Sequence, residues 1–294
     1  MSESESVWES TGVPGADWSW TRGVDEADHH VDLRTDIPHP ARMYDYYLGG
    51  KDHFPADRAA AEAAIAAYPP LRELARANRA FLGRAVRYAH ARGLDQFLDV
   101  GTGIPTAGST GEVLSGLGSP ASVVYVDNDP IVLSHSRALL TRRPGGRTTV
   151  VQADLREPKA ILESPEVQQA LDLSRPVALL LVAVLHFVPD QDGAQEAVRD
   201  LREALAPGSL LVLSHGSADF STPSAADGGK EAYRNASSPL VLRPRSEIAR
   251  FFGDFALADP GLVQLPLWRP DAAPAPGWQS LSAYAGVADK PLRP

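Results

Sequence analysis

The chain has 294 residues, 44 % of them apolar, no cysteine and a formal net charge of −9. That length allows one large or two small domains, and no apolar run is long enough to span a bilayer. The missing cysteine excludes disulfides, thiolate catalysis and cysteine-ligated zinc and suits a reducing cytoplasm, while the negative charge without a dense basic run argues against a nucleic-acid partner.

Residues 1 to about 35 are polar, acidic and aperiodic, and read as a flexible tail. The opening MSESESVWES has no basic start and no apolar stretch, so no export signal is expected. Trp8, Trp18 and Trp20 are the part of the tail with reason to dock, because aromatics are costly to leave in water. From about 56 to 92 the pattern is helical. An alanine-rich stretch at 59–67 stops at Tyr68-Pro69-Pro70, and Leu71, Leu74, Phe81, Leu82 and Val86 then recur at three-four spacing up to Gly93.

Beyond residue 94, strand and helix alternate. Strands are read at 96–100, 122–126, 148–153, 177–184 and 209–213. Helices are read at 111–117, from Asp129-Pro130 to about Thr141, at 167–173, and from an Asp190 cap to Leu205. This repetition specifies a parallel sheet with helices on both faces. Residues 217–240 break the rhythm and read as a loop or lid, followed by a helix at 246–252. Segments 262–268 and 282–287 read as two strands around the Pro-rich stretch 270–277, able to pair antiparallel. The expected fold is therefore α/β, a Rossmann-like sheet whose parallel core ends in an antiparallel pair, with added N-terminal helices. The expected division is a tail at 1–35, a helical segment at 36–93 and a core at 94–294.

In an open parallel sheet, ligands bind beyond the carboxyl ends of the strands. The first strand ends in Asp99-Val100-Gly101-Thr102-Gly103-Ile104-Pro105, where Gly101 and Gly103 let the backbone turn and approach a ligand. Pro105 removes a donor that a pyrophosphate would want, and a G-x-G-x-x-G is absent, which counts against a nicotinamide dinucleotide. Asp127 ends the second strand and can accept ribose hydroxyls or cap the next helix; Asp129 beside Pro130 fills the capping role well. Asp154 ends the third strand, where it can accept from an adenine amino group while a neighbouring backbone N–H donates to the ring. It also fits a plain loop aspartate. His186, after the fourth strand, can serve as a general base or as a packed, hydrogen-bonded residue, and His215 ends the fifth. His29, His30, His39 and His53 are irregularly spaced, so no metal site is expected.

These strand ends resemble those of class I S-adenosylmethionine-dependent methyltransferases. The blocks PARMYDYYLGGKDHF at 40–54, NRAFL at 78–82 and YAGVA at 284–288 make the chain similar to an actinobacterial family of such proteins once known as a domain of unknown function (DUF574-like). The resemblance implies S-adenosyl-L-methionine as cofactor. It places Asp99, Gly101 and Gly103 near the methionine portion, Asp127 on the ribose, Asn128 beside the adenine, and Asp154 and Leu155 on the adenine. Ile104-Pro105 departs from the class, where a third glycine is common. The tyrosine-rich block is read either as a cofactor lid, with Tyr47 and Lys51 in contact and an aromatic wall for the sulfonium, or as a brace for the N-terminal helices. Arg79, if it faces inward, can pair with the cofactor carboxylate. The methyl acceptor is expected to be a small molecule; a non-catalytic cofactor-binding protein is the alternative.

Overall fold

The computed structural model describes residues 33–140 and 146–292. Most of the expected tail, with Trp8, Trp18, Trp20, His29 and His30, lies outside the described residues, as does the last residue of the helix expected to reach Thr141.

Among the described residues, three helices precede the sheet: α1 (Pro40–Leu48), α2 (Pro55–Ala67) and α3 (Leu71–Ala91). The periodicity located α2 and α3 but not α1, which is nine residues long and rich in tyrosine. Its signals are at its ends instead. His39 caps it by accepting from the Ala41 N–H, proline opens it, and Gly49 closes it at φ +83°, a conformation that favours glycine. A buried ion pair docks α1 on the sheet. Arg42 donates from Nε to one carboxylate oxygen of Asp129 (2.8 Å) and from Nη2 to the other (3.2 Å).

The sheet then forms in chain order: β1 (Gln96–Val100), α4 (Thr110–Gly116), β2 (Ser122–Asp127), α5 (Pro130–Leu140), β3 (Thr148–Gln152), α6 (Pro158–Glu163), α7 (Pro165–Ala170), β4 (Ala178–Val182), α8 (Ala194–Ala204), β5 (Leu210–Gly216), α9 (Pro223–Ala232), α10 (Arg245–Arg250), β6 (Ala256–Leu257), β7 (Val263–Gln264) and β8 (Ala283–Asp289). Strands lie in the order β3-β2-β1-β4-β5-β8-β6, with β7 also on β8. β1 to β5 pair in parallel, and β8 runs antiparallel along β5 from Gly216↔Ala283 to Leu210↔Asp289. Alternate residues face opposite sides, as a period of two requires. Leu98, Leu179, Leu181, Leu211 and Leu213 pack on one face, against α8 and α10. Phe97, Val123, Leu180 and Val212 pack on the other, against α3 and Trp268.

The departures from the expected elements have local causes. β4 ends at Val182, two residues early, because Ala183 adopts φ +57° and turns the chain. The helix expected from Asp190 begins at Ala194, because Gly193 at φ +78° separates it from a short 3-10 turn. The strand expected at 262–268 shrinks to β7, since Pro266 has no N–H to pair and the chain passes into a 3-10 turn. Its antiparallel partner is nevertheless the expected one, with Val263 opposite Ala285.

Candidate active site

Two cavities adjoin at the carboxyl edge of the sheet. The first, about 110 Å³, is the more polar of the two, a cleft over the ends of β1, β2, β3 and β4. Gly101, Thr102 and Gly103 form its floor. Gly101 sits at φ +74° and Gly103 at φ +64°, and a Cβ on Gly101 would overlap the Val184 side chain, so both conformation and space demand glycine there. The turn is tied to β2 by the Gly101 N–H donating to the Val126 carbonyl (2.8 Å).

Asp127 stands at the centre of this cleft. One carboxylate oxygen accepts from the Gly103 N–H (2.9 Å) and the other from the Asp129 N–H (3.0 Å). Burial pushes its pKa up, against those two donors. Asp129 is the helix cap, accepting from the Ile131 N–H (2.9 Å). Each Asp127 oxygen thus keeps a lone pair for a ligand while the carboxylate braces two turns.

Asn128, Asp154, Leu155 and Arg156 line the far end. Asp154 accepts from Arg156 through its backbone N–H, Nε and Nη2, and from Asn128 Nδ2 (3.1 Å). Burial raises the Asp154 pKa, but the hydrogen bonds from Arg156 and Asn128 outweigh it and hold the group below the usual carboxylate range. Four donors already occupy this carboxylate, so an adenine amino group can reach it only by displacing one of them. Arg156 was not anticipated; the signal was its place two residues after a strand-end aspartate, where its side chain can fold back.

The roof comes from His39, Pro40, Ala41 and Tyr44 of α1. The tyrosine-rich block therefore does cover the cleft, but with its first residues. Tyr47, expected at the cofactor, is one turn further on and lines the second cavity, where its hydroxyl bonds that of Tyr233 (2.9 Å). Lys51, also expected there, follows the Gly49 turn, is exposed and lines neither cavity. Asp99 and Arg79 line neither cavity but lie close together behind the glycine turn. Asp99 accepts from Thr110 Oγ1 at the start of α4 (2.6 Å). Burial lifts its pKa to about 6, against the pull of Thr110 and Arg79. Arg79 lies against the Tyr44 ring, 5.7 Å from its centroid, and its buried Nε has no partner.

The second cavity, about 120 Å³, lies beyond β4 and β5 and is almost wholly apolar. It shares Pro40, Tyr44, Ala183 and Phe187 with the cleft. Tyr44, Asn78 and Ser214 link its walls. Tyr44 donates to the Ala75 carbonyl (3.0 Å), Asn78 Nδ2 donates to Tyr44 (2.9 Å), Ser214 donates to Asn78 Oδ1 (2.6 Å), and Ser214 accepts from the Ala183 N–H (3.0 Å). Burial raises the pKa of Tyr44, Tyr47 and Tyr233, so none of these phenols is a ready base.

His186 and His215 both line this cavity and are both keyed to Gly216. His186 Nδ1 accepts from the Gly216 N–H (3.2 Å), while His215 Nδ1 donates to the Gly216 carbonyl (2.6 Å). Arg243 donates from Nη1 to His215 Nε2 (2.9 Å) and from Nη1 and Nη2 to the Leu185 and Val188 carbonyls. It thereby clamps the segment that carries His186. Burial, and then the Arg243 charge, lower the His186 pKa to about 3. Burial, then His186, moves that of His215 well down. His186 Nδ1 accepts from Gly216 and His215 Nε2 accepts from Arg243, so the lone pair of each ring is already engaged.

A family model described as S-adenosyl methyltransferase matches residues 26–291. The chain belongs to this S-adenosyl methyltransferase family. It is similar to a DUF574 family protein from Streptomyces avermitilis MA-4680, with 44% identity over 88% of this chain and 100% of that one, at a TM-score of 0.84. It is also similar to a candidate methyltransferase from Thermobifida fusca YX, with 40% identity over 90% of this chain and 99% of that one, at a TM-score of 0.81. No curated protein matches it. The cofactor of an S-adenosyl methyltransferase is S-adenosyl-L-methionine. Among the described residues, no helix is long and apolar enough to cross a membrane, and no group of three or more His, Cys, Asp and Glu side chains is placed to hold a metal ion.

Proposed function

We propose that this S-adenosyl methyltransferase moves a methyl group from cofactor bound in the polar cleft to an uncharged or singly ionised small molecule bound in the apolar cavity. The observation that carries this reading is the junction of the two cavities at Pro40, Tyr44, Ala183 and Phe187. The bound cofactor supplies an electrophilic methyl on a sulfonium.

The residues present suit that cofactor. Gly101 and Gly103 let the backbone approach it, and Asp127 offers two lone pairs to a ribose diol. Asn128, Asp154 and Leu155 stand where an adenine would lie, and among the described residues the Leu155 N–H makes no hydrogen bond. Arg79 lies near Asp99 and lines neither cavity, but its buried Nε has no partner, so a turn of its side chain toward the cleft would let it pair with a methionine carboxylate. Asp99 positions the turn and α4 through Thr110. Tyr44 lines the junction, and the face of its ring is the part suited to a cationic sulfur.

In-line displacement asks the protein mainly for proximity and alignment, worth up to about 7–11 kcal/mol. Ala183 serves this by its left-handed turn, which ends β4 between the cavities. On this reading, residues 36–93 cover both ligands, residues 94–294 are the catalytic core, and the enzyme is cytoplasmic. Its net charge of −9 disfavours a nucleic-acid acceptor.

Isothermal calorimetry with S-adenosylhomocysteine, followed by transfer of labelled methyl from the cofactor to a small-molecule extract, tests the proposal. Binding and a labelled organic-soluble product are expected. Binding with no labelled product from any extract would favour a cofactor-binding sensor, and absence of binding would end the proposal.

A further inference from the structure

No charged side chain lines the apolar cavity among the described residues. The lone pairs that could take a proton are also spent. His186 Nδ1 holds the Gly216 N–H, and His215 Nε2 holds Arg243. What the wall has left over is hydrogen. A neutral imidazole that accepts at Nδ1, as His186 does from Gly216, carries its proton at Nε2, and among the described residues His186 Nε2–H has no partner. The Tyr47–Tyr233 pair has one hydroxyl hydrogen to spare, and the buried Ser282 Oγ is unpartnered.

Such a wall selects among nucleophiles. An amine would leave a cationic product in an apolar cavity with no carboxylate beside it, which is costly. A neutral alcohol would need a base that the cavity lacks. An anion meets neither obstacle, because its charge and that of the sulfonium vanish together in a low-dielectric site.

We propose, resting on the methyl-transfer reading above, that the acceptor enters as a delocalised oxyanion, an enolate or an acidic phenolate, whose oxygen is held by His186 Nε2–H. His186 is then a hydrogen-bond donor that orients the acceptor. The step balances without a protein base. The acceptor gives its proton to water before it binds. An electron pair of the oxyanion forms the new bond to the methyl carbon, and the sulfur–methyl bond breaks with its pair kept on sulfur. The groups packed around His186 fit this role. Phe187 lies beside its ring on the same segment, His215 on β5 is edge-on at 5.4 Å, and Arg243 lies beyond His215 with its charge met by Asp190. The low His186 pKa agrees with a ring that stays neutral.

Two measurements on the full chain test it. In the first, nitrogen-15 NMR of the imidazoles in the S-adenosylhomocysteine complex follows His186 from about pH 5.5 to 8.5. The expected result is protonated Nε2 and bare Nδ1 throughout; a proton on Nδ1, or titration near neutrality, overturns the proposal. In the second, 4-nitrophenol is titrated spectroscopically into protein saturated with sinefungin, whose ammonium stands in for the sulfonium. The bound probe should favour the phenolate by roughly ten-fold over its solution equilibrium, as a hydrogen bond to a charged oxygen predicts. His186→Gln, which keeps an N–H, should retain that preference and His186→Phe should lose it, with sinefungin affinity unchanged in both. Equal preference in wild type and His186→Phe refutes the donor role. If neither S-adenosylhomocysteine nor sinefungin binds, the methyl-transfer reading fails; if they bind and the tautomer or the preference is wrong, only this inference fails.

Discussion

The polar cleft and the apolar cavity touch, but they are made differently. The cleft is built from strand ends, where each ligand-facing group is set by its position on a strand and by backbone N–H groups nearby. Asp127 and the glycine turn illustrate this, since Asp127 at the end of β2 accepts from Gly103 after β1 and from Asp129 beside it. The cavity is built from side chains of α1, α3, α9 and the ends of β4 and β5, which are far apart in sequence and meet only in the folded chain. The cleft's floor is thus set by strand ends, and the cavity is a tertiary construction in which a substrate preference can reside.

The largest expected effect falls on the element that roofs the cleft and reaches the cavity. Arg42→Ala strands the buried Asp129 carboxylate and should cost about 3–5 kcal/mol, read as a fall in the urea midpoint. A small loss would mean that α1 is held on the sheet by packing alone.

Asp127→Ala should weaken S-adenosylhomocysteine about a hundred-fold by calorimetry, as loss of charge-assisted bonds to a diol predicts. Lys51→Ala, outside both cavities, should leave that affinity unchanged. A large effect of Lys51→Ala would restore it to the cofactor site and blur the boundary of the cleft.

The cavity should reveal itself through pH. The unfolded chain protonates His186 near its ordinary value of 6.5, while the fold holds it at about 3. Its contribution to stability is therefore complete above about pH 6.5 and is lost progressively as the pH falls toward 3, by about 1.4 kcal/mol per unit. Asp99, behind the cleft, acts in the opposite sense. Its pKa is raised to about 6, so its contribution is present below its ordinary 3.8 and is lost as the pH rises through 6. In His186→Gln, the acid-side decline in urea-derived stability should be shallower by about 1.4 kcal/mol per unit. An unchanged slope would show that the cavity does not hold the ring neutral.

The smallest effect concerns the junction. Ala183→Gly relieves a left-handed alanine at φ +57° and should raise stability by roughly 0.5–1 kcal/mol after the added freedom of the unfolded chain is counted. If methyl transfer also slows, the strained turn aligns the two ligands; if it does not, the strain follows from ending β4 there.

The sequence by itself determined the sheet. Apolar runs broken by glycine, proline and aspartate located five parallel strands and the antiparallel closing pair, because burial on both faces and short connections leave few other solutions. Strand polarity also pointed to Gly101, Gly103, Asp127 and Asp154, and the family resemblance to Asn128 and Leu155, and all six line the cleft. Only the tertiary structure decided which part of the 40–54 block faces the cleft, because a helix of nine residues divides its tyrosines among different neighbours. Only it decided the state of His186. One backbone N–H of Gly216, thirty residues away, takes the ring's lone pair. A histidine's chemistry depends on what its two nitrogens meet, and that is settled by packing rather than by its place in the chain.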